Sequence, residues 1–359
     1  MPVFVRTGRR AAGAVLLILA LLPGGVWGQE VVPYHYPPTT FEEAVPDENA
    51  NPKTSSMDFS GLAGALIGGG SRPPVRFRVS WQPLREVEGQ PTEFGLVTQD
   101  AAVIAPIWKG DSDTLLISLG LRHDAVGGNV ILPDSKRPLP DELWDARIGF
   151  IYLHNSENGW TSGGILNIGS AGDRPFAATR DMNIGAIGFV RVPHLESNAW
   201  IFALIYQPMS ELPYPIPAIT YNWRPSERLS MNLGVPLTAT YRPNDDWTLD
   251  FSYMVLRTVH AKASYRFAET WRIYAAYDWS NVSWQLHDRT DARERLFLYD
   301  QKVTAGVIHE LGENLLLDFS VGYLFDRYLF TGRQYADSLH DRVNVTDGPM
   351  LGFQAGLRW

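Results

Sequence analysis

This sequence predicts an all-β fold: a transmembrane antiparallel up-and-down β-barrel of about 16 strands, within a range of 12 to 16, behind a disordered N-terminal segment. Three observations predict it. Long stretches alternate apolar and polar residues, with full charges confined to one face. Short polar turns alternate along the chain with longer connections. Aromatic residues gather beside the short turns.

The chain opens with Arg6, Arg9 and Arg10, then an apolar run from Ala11 to Leu22 and a turn-rich stretch ending at Val26-Trp27-Gly28. This pattern is that of a secretory signal peptide, residues 1–28, and is too short for a spanning helix. It predicts export to the cell outer membrane. The chain has no cysteine, which removes disulfides, thiolate metal ligands and thiol catalysis. Its net charge is −8, and loss of a leader holding three arginines and no acid makes the balance more acidic, which argues against nucleic acid as a partner. After the leader no run of 18 apolar residues occurs, so a membrane-spanning chain must cross with strands.

Residues 29–74 form a separate zone punctuated by Pro33, Pro37, Pro38, Pro46, Pro52, Pro73 and Pro74, with Glu42, Glu43, Asp47 and Glu48 making its first half acidic. It reads as a disordered linker. Within it, Met57 to Gly70 is small and apolar, suited either to a short plug inside a barrel or to a loosely ordered leader.

From Val75 to Trp359 the period is two. Val75, Phe77, Val79 and Trp81 alternate with Arg76, Arg78, Ser80 and Gln82; similar alternation runs over Trp247–Val255, Val259–Phe267, Leu317–Asp326 and Leu351–Trp359. Successive strand side chains point to opposite faces, so each of these has one oily and one polar side. A soluble sandwich alternates too; the charges are what choose. Arg76, Arg78, Asp145, Arg147, Asp250, Lys262, Arg266, Arg272, Asp278, Asp300, Lys302, Asp318, Asp326 and Arg358 all sit on the polar face, well inside strands. They are the candidate lumen residues. A water-filled pore with ion or solute preference and a closed, ion-paired lumen fit their mixed signs about equally.

The short turns are expected at Lys109–Asp113, Ser156–Gly159, His194–Asn198, Pro225–Glu227, Asn244–Asp246, Ala268–Thr270 and Gly312–Asn314. The longer connections are Leu84–Glu93, His123–Glu142, Ser170–Arg180, Pro208–Pro215, Leu286–Glu294 and Phe330–Gly348, with tight tips at Gly234–Pro236 and Val255–Thr258. Trp108, Trp160, Trp200, Trp223, Trp247, Trp271 and Trp359 flank the short turns or end the chain at that level, which predicts a girdle at one membrane–water interface.

The eight histidines show no pair at metal-ligand spacing, and no cofactor or metal is expected. Tyr152-Leu153-His154-Asn155-Ser156-Glu157-Asn158-Gly159 resembles the His-x-Ser-Asn-Gly stretch of outer-membrane phospholipase A, but Glu157 interrupts it. No third group to orient a Ser–His pair is apparent, so this stretch reads as a turn and the chain as no enzyme. The closing strand, Leu351 to Trp359, resembles the C-terminal signal by which barrel assembly machinery takes up outer-membrane barrels, and implies that machinery and outer-membrane lipid as partners. Gly169-Ser170-Ala171-Gly172-Asp173-Arg174-Pro175-Phe176, together with Gly159-Trp160, Leu233-Gly234-Val235-Pro236 and Trp359, resembles an uncharacterised bacterial outer-membrane β-barrel family, a domain of unknown function. That resemblance covers Val75 to Trp359 and implies a location and a fold without a substrate.

The reading that follows is a passive, porin-like channel for small hydrophilic solutes or ions. The alternatives are a closed structural or interaction barrel and, last, an outer-membrane hydrolase. Transport of apolar molecules is disfavoured, because the inner face reads as charged.

Overall fold

A computed structural model describes residues 74–357, except 196, 209–213, 255–257, 290 and 335–336. The expected signal peptide, the linker with its Met57–Gly70 stretch, the 255–258 tip for the most part, Arg358 and Trp359 lie outside the described residues.

The strands are β1 (Val75–Glu86), β2 (Glu93–Lys109), β3 (Asp113–Gly127), β4 (Glu142–Asn155), β5 (Thr161–Gly172), β6 (Asn183–His194), β7 (Asn198–Tyr206), β8 (Ile216–Ser226), β9 (Leu229–Leu233), β10 (Leu237–Tyr241), β11 (Trp247–Met254), β12 (Thr258–Ala268), β13 (Trp271–Trp284), β14 (Arg295–Leu311), β15 (Leu315–Gly332), β16 (Val343–Val345) and β17 (Gly348–Leu357). Each pairs antiparallel with its sequence neighbours, apart from the three-residue β16, which rides on the upper part of β15. The ring closes where β1 meets β17, from Val75 opposite Leu357 to Trp81 opposite Leu351. Sixteen strands therefore form a closed barrel, which leaves no sheet edge along that seam.

Alternation sets the two faces. Leu119, Phe150, Phe202, Leu204, Ile219, Phe251, Ile273, Val303, Phe319, Val321 and Leu351 are exposed and share the outer face. An apolar, solvent-accessible band of this kind is what a lipid-facing barrel wall presents. The short turns fall at one end, where the sequence puts them, and the long connections at the other.

The wall is uneven in height. β2, β3 and β4 have 17, 15 and 14 residues, and β13, β14 and β15 have 14, 17 and 18. Between them, β9 and β10 have five each. One expectation fails in the tall wall. A bulge interrupts the β14–β15 register between Tyr299 and Gln301, and Asp326 has a left-handed φ of 48° there. The extra residue turns Asp326 away from the inner face. Its carboxylate accepts from Gln301 Nε2 at 2.8 Å, and Gln301 shares the face of outward Val303, two residues along β14.

Candidate functional site

The interior has three parts: a roof, a polar wall and an apolar wall. The roof is built by the long connections on the tall side. Val87, Val130, Leu132, Leu139, Leu286, Val343 and Val345 pack with the inward ends of the strands (Phe94, Leu96, Leu143, Trp284, Leu296, Leu298, Leu329) into one buried cluster. Polar ties join one loop to another. Arg289, with a side chain 0 % exposed, bonds Asp181 Oδ1 at 2.7 Å and the Arg180 carbonyl at 2.8 Å. Asp341 Oδ1 accepts the backbone N–H of Asp134 and of Ser135 at 2.8 and 2.7 Å, and its Oδ2 accepts Thr331 Oγ1 at 2.8 Å. Arg137 bridges to Glu294. Asp173 accepts the backbone N–H of His287 at 2.7 Å, so the 169–176 stretch is tied to another loop and is no free turn. Gly172 bridges Gln285 so closely that a Cβ would lie 2.1 Å from the Gln285 carbonyl oxygen; only glycine fits.

Burial alone would raise the Asp181 carboxyl, but the hydrogen bond and charge of Arg289, aided by Ala178 N–H and Arg180, hold it below the ordinary carboxylate range. Asp341 behaves likewise: burial opposes ionisation, and the donors Ser135, Thr331 and Asp134 overcome it.

The polar wall runs from β11 round through β17 to β4. Arg76, Arg78, Arg147, Asp250, Lys262, Arg266, Arg272, Asp300, Lys302 and Asp318 fall on the face opposite the exposed apolar band. Most have partners. Arg76 meets Asp100 at 3.2 Å, Arg78 donates to Gln354 at 3.3 Å, and Arg147 meets Asp145 at 2.7 Å. Thr240 donates to Asp250 at 2.9 Å, His260 bonds Asp278 at 2.7 Å, and Ser280 donates to Asp300. Lys262 Nζ lies 3.8 Å from the Tyr274 ring centroid, and Tyr274 donates to Asp318 at 2.9 Å. Arg272 reaches Glu310 at 3.8 Å. Lys302 lies in electrostatic range of Asp278. Arg266 Nε is buried without a hydrogen-bond partner among the described residues.

The apolar wall is what sequence reasoning missed. On β4 to β8 the inward side chains of the lower barrel include Ile151, Leu153, Ile165, Ile187, Phe189, Ile201, Ala203, Ile205 and Ala218. Leu116, Ile151, Leu153, Ile165, Phe189 and Ile201 form a buried cluster. The expected charged lumen is therefore corrected on this side: the lower inner face of β4 to β8 is oily. The signal was present, since Ile165-Leu166, Ala186-Ile187, Phe189-Val190 and Ile201-Phe202 are apolar on both faces. Two-sided burial reads as a continuous apolar run, in which alternation is lost. Against this wall lies a small open cleft of ≈ 50 Å³, lined among others by Ile187, Ile201, Ile205, Ala218, Asn232 and Pro236.

The described girdle residues Trp108, Trp160, Trp200, Trp223, Trp247 and Trp271 are all exposed at the short-turn end. In the 152–159 stretch, His154 bonds Asp113 at 2.8 Å, an orienting partner that the sequence did not reveal. Ser156 Oγ instead donates to the Trp160 carbonyl at 3.2 Å within a turn.

Residues 133–359 match a family described as a domain of unknown function, DUF6268. No curated protein matches the chain. Solved structures similar in fold include the β-domain of a Bordetella autotransporter (11 % identity, 80 % of this chain and 99 % of that one, TM-score 0.31). Others are an outer membrane channel from Pseudomonas putida F1 (10 %, 79 % and 93 %, 0.32) and OccK7 (OpdD) of Pseudomonas aeruginosa (13 %, 79 % and 99 %, 0.34). These likenesses concern the β-barrel fold alone.

Proposed function

The chain belongs to this DUF6268 family of unknown function, and from that premise we propose that it is an outer-membrane channel passing small hydrophilic solutes or ions along the polar half of its lumen. The observation that carries this reading is the convergence of charge on the polar wall. Arg78 on β1 lies in electrostatic range of Lys262, Asp278 and Asp318 on β12, β13 and β15. Charges of both signs facing one aqueous track offer successive weak sites to a hydrated ion. The N-terminal leader exports the chain, lipid meets the exposed apolar band, and β17 hands the chain to the assembly machinery. Ser156 takes no catalytic role in this reading: its Oγ donates to a backbone carbonyl rather than to a general base.

Planar bilayers test this. Wild type gives steady conductance steps, Lys262→Glu shifts the preference towards cations, and Asp318→Lys shifts it towards anions. A second reading, the closed barrel, is favoured by the buried roof cluster. It wins if the bilayer stays silent both for wild type and after the 130–139 hairpin is cut away.

A further inference from the structure

The β9–β10 hairpin is too short to cross a bilayer. Its five-residue strands rise about 12 Å when tilted, against a hydrocarbon core of about 30 Å that needs 9–11 residues. It starts at the girdle, with Tyr241 and neighbouring Trp247 both exposed. Its tip, Leu233-Gly234-Val235-Pro236-Leu237, therefore lies at mid-membrane depth. The tip's composition suits that depth: it has no charge, and Leu233 and Val235 are exposed. Gly234 presses against β8, where a Cβ would stand 2.3 Å from Thr220 Oγ1.

Above this tip the wall is notched. β8 pairs with β9 only from Tyr221 downward, so among the described residues Ile216–Thr220 are paired with β7 alone. Unpaired backbone at membrane depth is tolerated where it borders a cavity, not where it meets lipid tails. A small open cleft borders it: Val235, Pro236 and Thr220 belong to its lining, which continues onto the apolar wall. At the foot of that wall stand two arginines. Arg191 pairs across from Ile201, Arg224 lies in electrostatic range of it, and neither has an ion pair among the described residues. Two guanidinium groups at the edge of an oily surface are complementary to an anionic head on an apolar chain.

We propose that the notch above β9–β10 is a lateral portal through which a single-chain anionic amphiphile passes between the outer leaflet and the apolar half of the lumen. Its chain lies along Ile187, Ile201, Ile205 and Ala218, and its head at Arg191 and Arg224. The proposal rests on the chain spanning a membrane as a barrel. It does not depend on conductance along the polar wall.

The probe is a photoreactive analogue of palmitic acid with a mid-chain diazirine, presented to the full-length protein in phospholipid vesicles. Cross-links are mapped by mass spectrometry. They are expected on the inward residues Ile201, Ala203, Ile205 and Ala218. Labelling falls about tenfold in Arg191→Gln/Arg224→Gln, the loss expected for removing a charge-assisted hydrogen bond. It falls similarly for the matching alcohol on wild type, and is lost when Ala203→Trp fills the cleft. A retained heat-modifiable gel shift shows that each variant has folded. A bimane on Val235→Cys, a unique thiol in this chain, is quenched by nitroxides deep in the acyl chains and shielded from iodide. Cross-links confined to outward Phe202, Leu204 and Ile219 overturn the proposal, as does labelling indifferent to the two arginines. Labelling that appears only after removal of residues 57–70 also overturns it, because the chain's own apolar segment is then the occupant. A silent bilayer with inward cross-links sinks the channel reading and leaves the portal; conductance steps with outward cross-links do the reverse.

Discussion

The tall wall and the low wall of this barrel obey the same alternation and do opposite things with it. On β13–β15 and β2–β4 the strands outrun the membrane, and their upper inward positions become a loop-capped core around Trp284 and Leu132. On β7–β10 the strands stop early; inward Ile201, Ala203, Ile205 and Ala218 on β7 and β8 are oily, while inward Asn232, Thr238 and Thr240 on the short hairpin are uncharged. What differs is the use of inward positions. Polar inward residues need partners, and on the tall side neighbouring strands and loops supply them. Apolar inward residues need only each other, and they leave the short hairpin free of any roof.

The strongest break of this contrast is Trp284→Ala. Trp284 is 1 % exposed, Arg122 lies over its ring at 5.4 Å, and it sits at the centre of the roof cluster. Truncating a buried Trp costs about 3–5 kcal/mol. The roof loops, 128–141 and 285–294, should become open to protease while the barrel keeps its gel shift. If the channel reading holds, conductance rises at the same time. Cleavage unchanged from wild type would mean that the roof does not rest on this core.

Next comes Asp341→Ala. It removes acceptors from Asp134, Ser135 and Thr331 and leaves buried donors without partners, at about 1–3 kcal/mol for each group so stranded. Proteolysis near Lys136 and Arg342 should report it, with the 285–294 loop less affected than in Trp284→Ala.

Acid should loosen the same loops without any substitution. The Asp181 and Asp341 carboxyls are held below the ordinary range when the roof is closed, and revert to about 3.9 when it opens. A depressed carboxyl contributes stability that is present above its open-state value and lost as pH falls through the closed-state value. The roof should therefore be intact at neutral pH and weaken below about pH 4. The groups around Asp181 are Arg289, Arg180 and His287; those around Asp341 are Arg137 and His340. Arg289→Gln should move the onset towards higher pH, read as the pH at which protease first cuts the roof.

Much of the barrel was legible because many strands carry charge on one face only: Arg76, Lys262 and Asp318 mark their strands' inner faces without ambiguity. The closing strand was legible from its alternation from Leu351 onward, although β17 itself carries no charge. The apolar wall was hidden because Ile187 and Ile201 have apolar neighbours on both sides, so no period survives to say which face is inward. The roof was hidden for a different reason. Asp173, Arg289 and Asp341 look like ordinary loop polar residues, and only tertiary contacts 100 to 200 residues away in sequence give them partners. Asp326 was misassigned because a single bulge reverses the parity of everything beyond it.

The smallest effect sets one tryptophan against another. Trp247 is exposed at the short-turn end and lies 5.1 Å from Tyr265, centroid to centroid, whereas Trp284 is enclosed in the roof. An interfacial Trp keeps one edge in water and gains only partial burial, so Trp247→Ala should cost on the order of 1 kcal/mol, well under the roof substitution. The cost should also fall on a different process. A girdle residue acts when the strand ends meet the interface, so refolding from urea into vesicles should show a lower midpoint for Trp247→Ala while roof proteolysis stays at the wild-type level. Trp284→Ala should show the converse, because the roof packs above a barrel already inserted. Equal loss of refolding midpoint in both would mean that roof and barrel form as one cooperative unit, and the two walls would then differ in composition without differing in stability.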